Sequence, residues 1–264
     1  MVIIMATTKE ICEKLMAVKT GFTAPSESHP GELRDLTLAD IGSFLTYKNR
    51  PDMATIEARM AADQTELKPR AVTDALKLDY NFPTEAFAAE PVFNRNCLFL
   101  ALNISRREKN IFEGKEWYNF HEIDPKGSAL THVFNLAMMT NHDVFRGCYV
   151  TDILKNTIET EASKVVKAFN KPRDAEHEEA YRKSANLFIQ ECAIVQPKHL
   201  VVMGGDVASV VTQMKKDGLF DQAPDVAALV ENLTKVDHYA SRSNSTDYYI
   251  NLFDEDGNLN LQES

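Results

Sequence analysis

The chain has 264 residues, 44% of them hydrophobic, with 10 Gly, 10 Pro and a formal net charge of −10. This is a globular composition, long enough for one large domain or a domain with an appendage, and its acidity argues against a broad nucleic-acid surface while leaving room for a local basic rim. No apolar run approaches membrane-spanning length, and Cys12, Cys97, Cys148 and Cys192 stand in no metal or redox spacing, so a soluble, cytoplasmic protein with reduced thiols and no membrane partner is expected.

The opening MVIIM is too short for a secretory apolar region and is soon followed by Lys9 and Glu10. Over residues 8–19, Ile11, Leu15, Met16 and Val18 recur at near-helical spacing until Gly21 stops the pattern. Residues 23–31, TAPSESHPG, read as a connector. Helical patterns follow over 37–47 and 51–67, the latter with Pro51 in its first turn, and a short helix is predicted over 72–77. Residues 1–92 therefore read as a mostly helical N-terminal extension without a chemical motif.

After Pro91 the texture changes. The run 97–102 is wholly apolar and ends in Asn103, which suits a strand covered on both faces. Further strand-like runs lie at 147–153, 199–205 and 233–239, separated by helical patterns that include 173–195 and 206–214. Strands alternating with helices predict an α/β domain over 93–264: a three-layer αβα arrangement on a four-stranded parallel sheet of order 2-1-3-4. In such sheets chemistry gathers beyond the carboxyl ends of the strands.

The strand ends are ALNIS, YVTDILKN, QPKHLVVMGGDVASVV and VDHYAS. Taken together they resemble the uracil-DNA glycosylase superfamily over roughly residues 95–253. Members carry a Gly-Ile-Asn-Pro-Gly or Gly-Glu-Ala-Pro-Gly type motif after the first strand, an Asn-containing segment after the second, a Pro-Lys step leading to Gly-x-x-Ala at the third, and His-Pro-Ser after the last. Here Ile104-Ser105 replace the Pro-Gly, Asp152 stands where the base-reading asparagine is usual, and Tyr239-Ala240 replace the proline of His-Pro-Ser. The first motif is closest to the mismatch-specific type.

The resemblance implies a DNA glycosylase-like hydrolase that cleaves the N-glycosidic bond of a deaminated or mismatched base, uracil or a relative, extruded from DNA. It implies Asn103 as the residue that places the water and His238 as the hydrogen-bonding group at the departing base. Asp152, Phe120, Tyr118, Gly204, Gly205 and Ser241 would line the base pocket, and Arg106, Arg107, Lys109 and Arg242 would meet phosphates. An aspartate offers only acceptors when ionised, so Asp152 suits a base edge that presents N–H donors unless it is itself protonated. No metal, iron-sulfur cluster or other cofactor is expected, since neither the cysteine spacing nor His121, His132 and His142 follow a ligand pattern.

Each residue also has a plain reading. Asn103 suits a turn, Asp152 a helix N-cap over 153–157, His238 a strand end, Gly204-Gly205 a tight turn, and the aromatics of EWYNFHE a core patch. Arg106, Arg107, Lys109 and Lys115, outnumbering Glu108 and Glu113, equally make a solvated loop. A protein that keeps the fold but only binds a nucleotide, nucleic acid or partner protein is the alternative function, favoured by the altered Pro-Gly and the acidic balance.

Overall fold

A computed structural model describes residues 7–49, 53–62, 68–83, 87, 93–104, 113–121, 129–159, 161–241 and 244–259. The first helix, α1 (Thr8–Ala17), is set by a capping box: the Thr7 hydroxyl accepts the Glu10 N–H at 3.3 Å, and the Glu10 carboxylate accepts the Thr7 N–H at 2.7 Å. Ile11 and Leu15, one turn apart, supply its buried face.

The next stretch departs from the expected connector and helix. Lys19 to Pro25 alternates exposed and buried residues and forms β1 (Lys19–Pro25), paired antiparallel with β2 (Leu33–Thr37). The Pro, Ser and Gly residues that suggested a connector occupy only the turn and the strand ends. The helix expected over 37–47 is one short turn, α2 (Leu38–Ile41), after which Gly42 passes into β3 (Gly42–Phe44). The helices α3 (Met53–Ala62) and α4 (Pro69–Leu76) follow, the second with Pro in its first turn and Lys77 closing it in a left-handed conformation.

The α/β portion runs β4 (Asn94–Ile104), α5 (Ala129–Met139), β5 (Cys148–Ile158), α6 (Ala162–Phe169), α7 (Ala175–Val195), β6 (His199–Met203), α8 (Gly205–Lys216), α9 (Pro224–Glu231), β7 (Thr234–Val236) and α10 (Thr246–Ile250). The main sheet has five strands, not four, in the order β3-β5-β4-β6-β7. The pairings β5-β4, β4-β6 and β6-β7 are parallel, and β3 closes the β5 edge antiparallel, with Gly42, Ser43 and Phe44 opposite Thr151, Val150 and Tyr149. The N-terminal region thus supplies an edge strand of the sheet, and among its described residues three strands stand beside the helices.

Both faces of the central strands are covered. On one, Leu98, Leu100, Leu102, Tyr149 and Ile153 pack with Ile11 and Leu15 of α1, Phe188 of α7 and Val211 of α8. On the other, Phe99, Ala101, Val150 and Met203 pack with Leu136 and Met139 of α5 and Tyr249 of α10. A smaller cluster, including Ile56, Val72, Tyr80 and Phe134, seats α3 and α4 against α5. Among the described residues, no helix is long and apolar enough to cross a membrane.

Candidate base pocket at the strand ends

Asp152 lies inside β5, not beyond its end, because the strand continues to Ile158. No helix begins at Ile153, which removes the N-cap reading of Asp152. The side chain is buried, and its Oδ2 accepts an N–H from Asn119 Nδ2 at 3.0 Å. Asn119 Nδ2 also donates to the Ile41 carbonyl at 2.7 Å, so both of its amide hydrogens are engaged.

The N-terminal region holds this part of the site. Trp117 N–H donates to the Ala39 carbonyl at 2.8 Å, the Ser43 hydroxyl donates to the Trp117 carbonyl, and the two ring nitrogens of His121 meet the carbonyls of Tyr80 and Phe44 at 2.8 and 3.0 Å. A neutral imidazole can donate to only one of those carbonyls, while burial pulls the His121 pKa down to about 4. Within the clamped segment Trp117 and Phe120 have φ of 67° and 72°, a left-handed conformation that costs a side chain-bearing residue about 1 kcal/mol or more. The turn drives the two neighbouring rings apart. Tyr118 packs against the core face that includes α1 and α7, whereas Phe120 packs against the face that includes α5 and α10.

At the other strands, Gly204 ends β6 with φ 110°, a conformation that favours glycine, and its N–H donates to the Val236 carbonyl of β7 at 2.8 Å. A Cβ built there would lie 3.5 Å from Cβ of His238, so the two strand ends approach closely. Gly205 is the first residue of α8, and a Cβ on it would meet open space. His238 Nδ1 accepts the Ala240 N–H at 3.1 Å, which leaves the proton of the neutral ring on Nε2. Burial, with His132 nearby, lowers the His238 pKa to about 4, so the ring is neutral at pH 7. The His238 carbonyl accepts from Ser241 N–H at 2.8 Å and from the Tyr249 hydroxyl at 2.6 Å.

Tyr239 connects the two halves. Its ring lies on that of His238, with centroids 4.3 Å apart and planes 25° from parallel, and it packs against the same core face as Phe120. Burial, the Asp152 carboxylate and Tyr47 push its phenol well above the ordinary range. Its carbonyl accepts from Asn135 Nδ2 at 3.0 Å, which ties this turn to α5.

Asn103 is near but turned to a different task. It pairs with Leu154, two positions beyond the Ala101–Asp152 pair, where the register then slips so that Ile104 faces Ile158. Its Nδ2 donates to the carbonyls of Ile104, Thr157 and Glu159 at 3.2, 3.2 and 2.8 Å and so closes the bulge. Its amide hydrogens are committed, and Oδ1 is the atom left to accept from a water.

The structure therefore brings Gly204, His238 and Ser241 together, with Tyr239 linking them to Asp152 and Gly205 at the margin, while Phe120 packs on the core face that Tyr239 also joins. Tyr118 joins the opposite core face. Arg106, Arg107, Lys109 and Arg242 lie outside the described residues. Among the described residues, no three His, Cys, Asp or Glu side chains stand together to hold a metal ion. Sequence reasoning missed Asn119 and Tyr239. The first lay between the two aromatics already singled out, and the second was noted only as a substitution for proline.

No family model, curated protein or solved structure matches this chain.

Proposed function

We propose that the chain is a glycosylase-like hydrolase that accepts an extruded base of DNA at the ends of β6 and β7, beside Asp152 of β5, and cleaves its N-glycosidic bond, the base being deaminated or mismatched. The observation that carries this reading is His238: a neutral imidazole, with Nδ1 occupied by the Ala240 N–H and the proton on Nε2, close to the glycine that ends β6. Cleavage builds negative charge on the departing base, and a fixed neutral donor stabilises that charge without having to give up its proton. The half-buried ring of Phe120 supplies a stacking surface, and the Asp152 carboxylate, held by Asn119, supplies acceptors for base N–H groups. Asn103 Oδ1 orients the water. Arg106, Arg107, Lys109 and Arg242 are assigned to the phosphates.

The test is a panel of oligonucleotides carrying uracil, hypoxanthine, xanthine or mismatched thymine, single- and double-stranded, with wild type, His238→Leu and Asn103→Ala. The expected result is an abasic product from wild type on at least one substrate, reduced about a hundredfold or more in His238→Leu. No abasic product from any substrate would end the hydrolase reading.

A second reading, a module that binds a base without cleaving it, is favoured by the engagement of both Asn103 amide hydrogens with backbone carbonyls. Binding of DNA that falls steeply with salt but yields no abasic product would identify that case, because phosphate contacts release counterions.

A further inference from the structure

We propose that the Tyr239 side chain is the built-in cover of this pocket: its ring shields His238 and the approach to Asp152, and a base binds only when that ring swings out. The proposal rests on the base-pocket reading above and adds to it the residue that governs entry.

Four observations support it. The Tyr239 ring lies nearly parallel to the His238 imidazole at 4.3 Å and so covers the ring whose Nε2–H is assigned to the base. It packs on the core face that also receives Phe120. Its phenol is a single O–H donor within the field of the buried Asp152 carboxylate, the role that a base N–H would take. Asp152 is only 1% exposed, so an incoming base reaches its carboxylate only after something moves.

What moves is narrowed by the backbone bonds. The turn is anchored by Asn135 Nδ2 on the Tyr239 carbonyl, by Ser241 N–H and the Tyr249 hydroxyl on the His238 carbonyl, and by Asn244 Nδ2 on Asp237 at 2.7 Å. With the main chain fixed on both sides of residue 239, rotation about the Tyr239 side-chain bonds is the small motion that opens the pocket. A site that spends most of its time closed binds with an affinity lowered by the open fraction.

The experiment uses the full chain as wild type, Tyr239→Phe and Tyr239→Ala, titrated calorimetrically with uracil, hypoxanthine, guanine and p-cresol, the last being the excised side chain. Truncating a packed aromatic leaves a hole that small planar molecules can fill. The expected result is that Tyr239→Ala binds p-cresol and binds at least one base about tenfold more tightly than wild type does. Tyr239→Phe should stay close to wild type.

A Tyr239→Ala protein that binds p-cresol but no base, or binds neither, overturns the proposal. If that variant does not fold, Tyr239→Leu carries the same titration. Wild type carries a further measurement, because saturation with a base must displace the Tyr239 ring signals in an aromatic NMR spectrum, and unchanged signals in a base-saturated protein also overturn it. Base uptake without an abasic product retires the hydrolase reading alone. An abasic product from wild type with no gain in base binding by Tyr239→Ala retires this inference alone.

Discussion

Lys155 of β5 and Glu191 of α7, both fully buried, form an ion pair beneath the sheet. Thr151 and Tyr149 donate their hydroxyls to Glu191 Oε1 at 2.8 and 3.0 Å, and Lys155 Nζ also reaches the Thr151 hydroxyl at 2.8 Å. Removing one member strands a charge in an apolar interior. Glu191→Leu or Lys155→Met should each cost about 3–5 kcal/mol in urea unfolding, and the double variant should cost less than the two single costs combined. Additive single costs would show that the two charges do not depend on each other.

Acid should loosen the protein well before its carboxylates protonate in bulk. His121 and His238 are both held near a pKa of about 4, in each case chiefly by burial, against about 6.5 in an unfolded chain. A depressed histidine binds its proton more readily when unfolded. Its contribution is therefore complete above pH 6.5 and is lost as pH falls toward 4, for His121 on the order of 3 kcal/mol across that window. Unfolding free energies at pH 7, 5.5 and 4.5 should fall in that order, and neither imidazole should titrate by NMR above pH 5. A titration near 6.5 for either ring would contradict its assigned state.

Glu113 should differ from a free surface carboxylate, which adds no pH dependence to stability. Its Oε2 accepts from Ser26 Oγ, Glu27 N–H and Ser28 N–H at 3.0, 2.8 and 3.1 Å, and its Oε1 accepts from Ser28 Oγ at 2.8 Å. Those donors, led by the Ser28 backbone, hold its pKa at about 2. Because the folded value is depressed, the stabilisation is present above the unfolded value near 4.5 and is lost as pH falls through about 2. Glu113→Ala should speed hydrogen exchange at the Glu27 and Ser28 amides at pH 7, and unchanged exchange would mean that the turn holds itself.

Gly42 is required for space and not for backbone freedom. Its φ of −109° is ordinary, but a Cβ there would lie 2.0 Å from the Tyr149 hydroxyl oxygen and 2.6 Å from the ring carbon that bears it. Gly42→Ala should destabilise by about 1–3 kcal/mol or more. Adding Tyr149→Phe should not restore stability, since the ring carbon still collides. Full recovery in that double variant would place the conflict on the hydroxyl alone.

The parallel strands were legible because a strand buried on both faces needs an unbroken apolar run, and 97–102 and 200–203 have one. Much of the N-terminal region was not. Residues 37–47 carry apolar residues that satisfy a helical and an extended spacing alike, and pairing with β5 decides in favour of a strand from Gly42 onward. In β1 the two-residue alternation was hidden by Pro25 and Ser26. At the site, Gly204 and His238 declared themselves at strand ends, where the approach of β6 to β7 brings them together. Asn119 did not, because its role depends on Ile41 and Asp152, residues far from it in the chain. The register slip that occupies Asn103 depends on carbonyls 54 and 56 positions downstream, which local sequence does not encode.

The edge strand β3 has a consequence for biosynthesis. Gly42, Ser43 and Phe44 leave the ribosome early, yet their partners Thr151, Val150 and Tyr149 emerge only after another hundred or so residues. The Asn119 and His121 side chains that meet the carbonyls of Ile41 and Phe44 emerge about thirty residues before those partners and leave the strand's ladder unpaired. A nascent chain stalled before residue 148 therefore exposes a strand without its β5 partner, the kind of species that chaperones shield and that associates with its own copies.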